Sequence, residues 1–262
     1  MYAHIFKANP YHDALGRFST KDTATYVSLF ANTKIDLLKP VKKAGLQEDF
    51  PLAIIIDNFG DLKRGELFTS VKKNADSLLE LLPENQLKSL KNYTNIGYIN
   101  INELLRGTLK FSELDSENFK DRTLKIINTH IDNLDKAIES SRIGGGVRLM
   151  RGISKTQEDK ILSGGVGAVI TDKGFQSFTM DEKVALGWNI GGIIKLNAKK
   201  EQKGVYVESI TGHVGEEEIL LPRNVSYVVT GVTKHKTGKN IISVEILEEK
   251  DKIGKSFAEI FL

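Results

Sequence analysis

The chain has 262 residues, no cysteine, 40% hydrophobic and 27% charged content, and 37 basic against 34 acidic side chains. The apolar share suits a protein with a buried core and excludes disorder throughout, while the lack of cysteine excludes a disulfide framework, a thiolate zinc site and a cysteine nucleophile. Near-balanced charge argues against a strong footprint for duplex nucleic acid, no run reaches the roughly 18 apolar residues of a membrane span, and residues 1–10 lack the order of a secretory signal.

Residues 1–55 read as an N-terminal extension: 9–22 is polar and turn-rich, and 27–38 could form a short helix before Pro40. Beyond it, Leu67, Val71, Ala75, Leu78, Leu79 and Leu82 lay one apolar stripe along a helix over 66–82, which Pro83 stops. Further helices are predicted over 83–93, 96–105 and 119–140, the last with Leu124, Ile127, Ile131, Leu134 and Ile138 on one face. Gly144, Gly145 and Gly146 close this helical lobe, and only six of the 23 glycines precede them. Helix interiors tolerate glycine poorly, whereas strand-and-turn structure uses it. Accordingly, strands are predicted near 147–150, 166–171, 176–179, 192–197, 204–207, 217–221, 226–234, 240–248 and 256–261. Helices followed by strands, without alternation, argue for an α+β fold over residues 56–262 rather than a doubly wound sheet.

Glycine-rich segments come first among candidate sites. Gly144–Gly146, the group Gly164, Gly165 and Gly167, and Gly238-Lys239 all lack the sequence of a phosphate loop and read as turns. The five histidines are dispersed with no ligand spacing, so no metal site is predicted. Three strand-associated segments remain. In the first, Val147 to Arg151 is followed at once by Gly152. In the second, Gly174 to Thr179, the hydroxyls of Ser177 and Thr179 point to one side of an extended segment. In the third, Glu216, Glu217 and Glu218 lead into Ile219-Leu220-Leu221-Pro222, with Glu216 and Glu218 on one face. Paired carboxylates at a strand entrance suit stabilisation of positive charge developing at a sugar, one on the ribose and one on an incoming nucleophile. Taken singly, these segments also read as a surface arginine, a half-buried strand and a solvated acidic turn.

Together and in this order they resemble the arginine–serine–glutamate class of mono-ADP-ribosyltransferases, which includes clostridial binary-toxin components and bacteriophage enzymes. The matching residues are Arg151-Gly152, Ser177-Phe178-Thr179 and Glu216-Glu217-Glu218 before Leu220-Leu221-Pro222, supported by Tyr93-Thr94, Tyr98, Ile101-Asn102 and Leu105-Arg106 in the helical lobe. The resemblance implies a helical lobe packed on a core of two mainly antiparallel β-sheets, with NAD as substrate and no metal. It implies that Arg151 pairs with an NAD phosphate and that Gly152 allows close approach of the dinucleotide. Ser177 would hold Glu218, with Thr179 supporting that strand; Glu218 would stabilise the oxocarbenium-like transition state; and Glu216 would engage the acceptor. Glutamate at position 216 goes, within the class, with arginine acceptors on a target protein, and RNA stays open as an acceptor. The loop 209–215 is where acceptor choice would lie. The sequence departs from the class at Phe178 and Thr179, at Gly174 where binary-toxin relatives carry a NAD-contacting asparagine, and at Lys195 where arginine is usual. Trp188 either fills the aromatic position near the cofactor or is a core tryptophan.

The segment 9–19, with Asn9, His12-Asp13 and Gly16-Arg17-Phe18, resembles a stretch of phage head-morphogenesis and other virion proteins. That implies a phage-encoded enzyme packaged in the virion and acting there or in the host cytoplasm. The alternatives are a catalytically inactive virion structural or interaction protein of the same fold, and an NAD glycohydrolase.

Overall fold

The computed structural model describes residues 64–188, 190–247 and 259–262. The N-terminal extension, its helix at 27–38 and the segment 9–19 lie outside the described residues. The stripe beginning at Leu67 forms α1, Arg64–Leu81, with Val71, Ala75 and Leu79 buried. Pro83, extended at ψ 144°, caps α2, Glu84–Asn92. The two helices expected over 83–93 and 96–105 are continuous: a π-helical turn, Tyr93–Gly97, joins α2 to α3, Tyr98–Arg106. Helix α4, Glu117–Glu139, starts at Ser116, whose side chain accepts from the Phe119 N–H, and buries Ile127, Ile131, Leu134 and Ile138 as its stripe predicts. No helix among the described residues is long and apolar enough to cross a membrane.

The strands are β1, Val147–Gly152; β2, Val169–Asp172; β3, Gln176–Thr179; β4, Ile193–Ala198; β5, Val205–Tyr206; β6, Glu218–Leu221; β7, Val225–Lys234; β8, Asn240–Ile246; and β9, Glu259–Phe261. They hydrogen-bond in the order β5-β6-β3-β1-β4-β8-β7-β2-β9, mostly antiparallel, with β4–β8 and β2–β9 parallel. The two sheets the family resemblance implies are joined: β1 meets β3 at a single pair, Met150 with Thr179, whereas β1 and β4 share a ladder from Val147 to Gly152. Around that seam both halves feed one apolar core, with Phe178, Ile219 and Leu221 from one side and Leu149, Ile194, Val229 and Val244 from the other. On the opposite face of β5-β6-β3, Val205 and Leu220 pack against Leu90, Ile101, Ile131 and Leu134 of the helical lobe. Period-two alternation therefore sends Ile219 and Leu221 to one core and Leu220 to the other.

Two helices were not predicted. Helix α5, Lys155–Gly164, has a capping box in which Ser154 and Gln157 bond reciprocally, and it ends at the glycines read above as plain turns. Helix α6, Glu182–Gly187, starts at Asp181, whose side chain accepts from the Lys183 N–H.

Asn102 fixes how the helical lobe meets the sheet. Its Oδ1 accepts the Phe175 N–H at 2.9 Å, and its Nδ2 donates to the Tyr93 hydroxyl at 2.9 Å and the Phe175 carbonyl at 3.2 Å. All of these bonds are buried, and the Tyr93 and Phe175 rings meet edge-to-face at 5.8 Å. Asn102→Ala strips the buried Phe175 N–H of this acceptor, so a loss of about 2–3 kcal/mol of unfolding free energy is expected in chemical denaturation.

Candidate active site

Ladder register sets the site. Across β4, β1, β3 and β6, Lys195 lies opposite Met150, Met150 opposite Thr179, and Thr179 opposite Glu218. Directly opposed residues share a face, so these four form one transverse row, and Ser177, two residues before Thr179, lies on the same face. Ser177 is opposite Leu220, which puts it on the diagonal to Glu218. Glu218 is 1% exposed, Thr179 fully buried and Ser177 buried. The Thr179 hydroxyl donates to the Glu216 carbonyl at 2.5 Å and accepts from the Asp181 N–H at 2.9 Å. It thereby joins β3 to the segment that carries both glutamates and to the cap of α6. Glu216, outside the strand, is partly exposed.

Arg151 follows Met150 on β1, so alternation turns it to the opposite face of the strand, the face of Leu149 and Ile194, and it belongs to a second, charged cluster. Its guanidinium is 3.8 Å from Asp172, whose carboxylate also accepts from Arg106 of α3 at 2.9 and 2.7 Å in a two-pronged pair. The side chains are 9%, 2% and 8% exposed for Arg151, Asp172 and Arg106. Burial lowers the pKa of Arg151 and the Asp172 charge works against that fall. The phenol of neighbouring Tyr227 is pushed up, chiefly by burial. The three charged groups carry one surplus positive charge in a desolvated position, which suits an anionic group such as a diphosphate. Arg106 and Asp172 were not singled out as site residues from sequence. Arg106 is in the helical motif, but nothing local in a sequence reports a pair separated by 66 positions.

Two glycines are required by neighbours. A Cβ on Gly174 would come within 2.7 Å of Asn102 Oδ1 and 2.9 Å of Arg106 Nη2, so the side chains that build the lobe seam and the arginine cluster occupy the space an asparagine there would need. A Cβ on Gly152 would meet the Trp188 carbonyl at 2.5 Å, so α6 packs directly on the end of β1. Trp188 itself is 4% exposed. Lys195 is partly buried and on the row with Glu218.

A mainly antiparallel sheet joined at one seam, backed by a helical lobe, with a buried arginine–carboxylate cluster on one face of β1 and a row of hydroxyl and glutamate on the other, defines an α+β protein of the ADP-ribosyltransferase class. The chain matches the ADP-ribosyltransferase exoenzyme family over residues 71–250 and belongs to it. It is 27% identical over 186 residues to the NAD(+)-arginine ADP-ribosyltransferase EFV of Enterococcus faecalis, a match covering 68% of this chain and 34% of that protein. The chain thus spans about a third of that relative's length. Among solved structures, C3stau2 of Staphylococcus aureus, determined with NAD, aligns at TM-score 0.52 and 20% identity over 69% of this chain and 96% of that one. The ADP-ribosyltransferase Vis, from Vibrio splendidus and determined with agmatine, aligns at TM-score 0.54 and 15% identity, covering 77% and 93%.

Proposed function

We propose that the protein is an NAD-dependent mono-ADP-ribosyltransferase that moves ADP-ribose onto arginine side chains of a target protein and releases nicotinamide. The observation that carries this reading is the buried Glu218 in register with Thr179, with Glu216 two residues earlier at the strand mouth. In the proposed reaction the bond between nicotinamide and the ribose C1′ breaks and its electron pair leaves with the nicotinamide nitrogen. Glu218 holds the ribose hydroxyl and offsets the positive charge growing at C1′. Ser177, on the diagonal, keeps that carboxylate in place. A guanidinium nitrogen then bonds to C1′, and Glu216 takes its proton. Arg151 and Arg106 supply cations for the diphosphate, with Asp172 holding them until it binds; Lys195 and Trp188 flank the cofactor. The arginine specificity is supported by the EFV relative and by the agmatine bound to Vis.

The same proposal treats residues 1–55 as an extension and 56–262 as the catalytic domain, a division supported by the family match beginning at residue 71. It also includes a phage origin and virion packaging through residues 9–19, with action in the host cytoplasm. The test is incubation of purified protein with NAD labelled on the adenylate portion and bacterial lysate. Label on protein arginine, identified by mass spectrometry, is the expected result. Label on RNA would move the acceptor, nicotinamide release without label would make the protein a glycohydrolase, and neither would leave a binding protein of this fold.

A further inference from the structure

The segment bearing both glutamates is clamped by a residue outside the motif. Glu208, just beyond β5, accepts the Gly215 N–H on one carboxylate oxygen and the Glu217 N–H on the other, the second at 2.8 Å. The loop between turns back through Gly215 at φ 96° and Glu217 at φ 47°, a left-handed conformation that a non-glycine residue adopts only when its surroundings hold it there. Further bonds fix the neighbouring backbone. The Glu216 carbonyl takes the Thr179 hydroxyl at 2.5 Å, the Glu217 carbonyl the Met180 N–H at 3.3 Å, and the Glu218 carbonyl the Val207 N–H at 3.0 Å. At the loop's other end the Val207 carbonyl accepts from Ile210 and Thr211, each at 3.0 Å.

These contacts separate the two glutamates. Glu218 is the first residue of β6, held between strands by its pairing with Thr179 and by the Val207 N–H on its carbonyl, neither of which involves Glu208. Glu216 precedes the strand, and Glu208 holds the amides on both sides of it. A carboxylate taking two N–H groups is a charge-assisted pair, and it turns those N–H dipoles inward amid an otherwise acidic stretch. Burial, then the nearby Glu208, Glu217 and Asp76 charges, pushes the Tyr206 phenol up, so it remains protonated beside this cluster.

We propose that Glu208 is a positioning residue for acceptor transfer: without touching substrate, its clamp sets where the Glu216 carboxylate meets the guanidinium. The proposal rests on the roles given above to Glu216 and Glu218. Its test compares wild type, Glu208→Ala and Glu208→Gln with agmatine as acceptor. In Glu208→Ala, transfer to agmatine should fall about 10- to 100-fold. Nicotinamide release without acceptor, and KM for NAD, should stay at wild-type values. Glu208→Gln, which puts an acceptor oxygen against one N–H but a donor NH2 against the other, should fall between. Hydrogen exchange at the Gly215 and Glu217 amides should be faster in Glu208→Ala. Unchanged exchange would overturn the clamp, and a parallel loss of transfer and nicotinamide release would reduce Glu208 to general support of the fold. If wild type neither transfers nor releases nicotinamide, the enzymatic reading fails and the positioning role goes with it, while faster amide exchange in the variant would still show that the clamp exists.

Discussion

Glu218→Gln is expected to lower nicotinamide release from NAD by about 10²- to 10³-fold, the usual loss when one charge-stabilising group is removed from a desolvated site. Glu218 is 1% exposed on a strand whose neighbours set its backbone, so glutamine occupies the same space and keeps hydrogen-bonding ability, but it cannot carry the negative charge. Replacing a buried charge by an isosteric amide has little reason to weaken the fold, and the unfolding midpoint should stay where it is or rise slightly. Measuring nicotinamide release beside thermal unfolding separates the two effects. Full activity in Glu218→Gln would remove the carboxylate from the mechanism; a collapsed midpoint would show that its role is structural.

Asp172→Asn should produce the largest change in stability. Asp172 is the carboxylate between two guanidiniums, with Arg106 bound through both prongs and Arg151 at 3.8 Å, all three side chains less than a tenth exposed. Breaking a buried ion pair from one side leaves charge that burial has already stripped of water, at a cost of about 3–5 kcal/mol. For a domain of this size that corresponds to a fall of about 10 °C in the midpoint of thermal unfolding. An added anion should reverse part of it. With the competing carboxylate gone, inorganic pyrophosphate or NAD should raise the variant's midpoint more than that of wild type, because two cations then lack a fixed counter-charge. An unchanged midpoint would show that Asp172 does not hold these arginines, and equal shifts with pyrophosphate would argue against a diphosphate at this cluster.

Glu218 and Asp172 differ in how far the chain around them reveals their surroundings. Glu218 was legible in the sequence because its segment carries a local pattern, carboxylates at spacing two before an apolar strand, and because three such patterns occur in a fixed order. Asp172 was not, since it ends an ordinary strand and acquires meaning only from Arg106, which is 66 residues away. Glu208 is similar: its partners at Gly215 and Glu217 are reached through a loop whose left-handed turns depend on the strands it connects. The missed helices have a local cause. Helix α5 has Ile161 and Leu162 as its apolar residues, too few to draw a stripe, so its capping box stood without periodicity behind it. Helix α6 is six residues long, shorter than two turns.

By itself the sequence determined which of the strongly patterned segments are helix and which are strand, α5 and α6 apart, because the 3.6-residue and two-residue periods come from backbone geometry acting over a few neighbours. It also determined the order of the arginine, serine and glutamate segments, since that is written in the chain. Only the tertiary structure decided that the sheet is continuous through the single Met150–Thr179 pair, that Lys195, Met150, Thr179 and Glu218 share a row, and that Arg151 and Arg106 share one carboxylate. Strand register, and the burial that brings like charges onto one counter-ion, arise from packing two halves of a sheet and a helical lobe together, and that balance is a property of the whole core rather than of any segment.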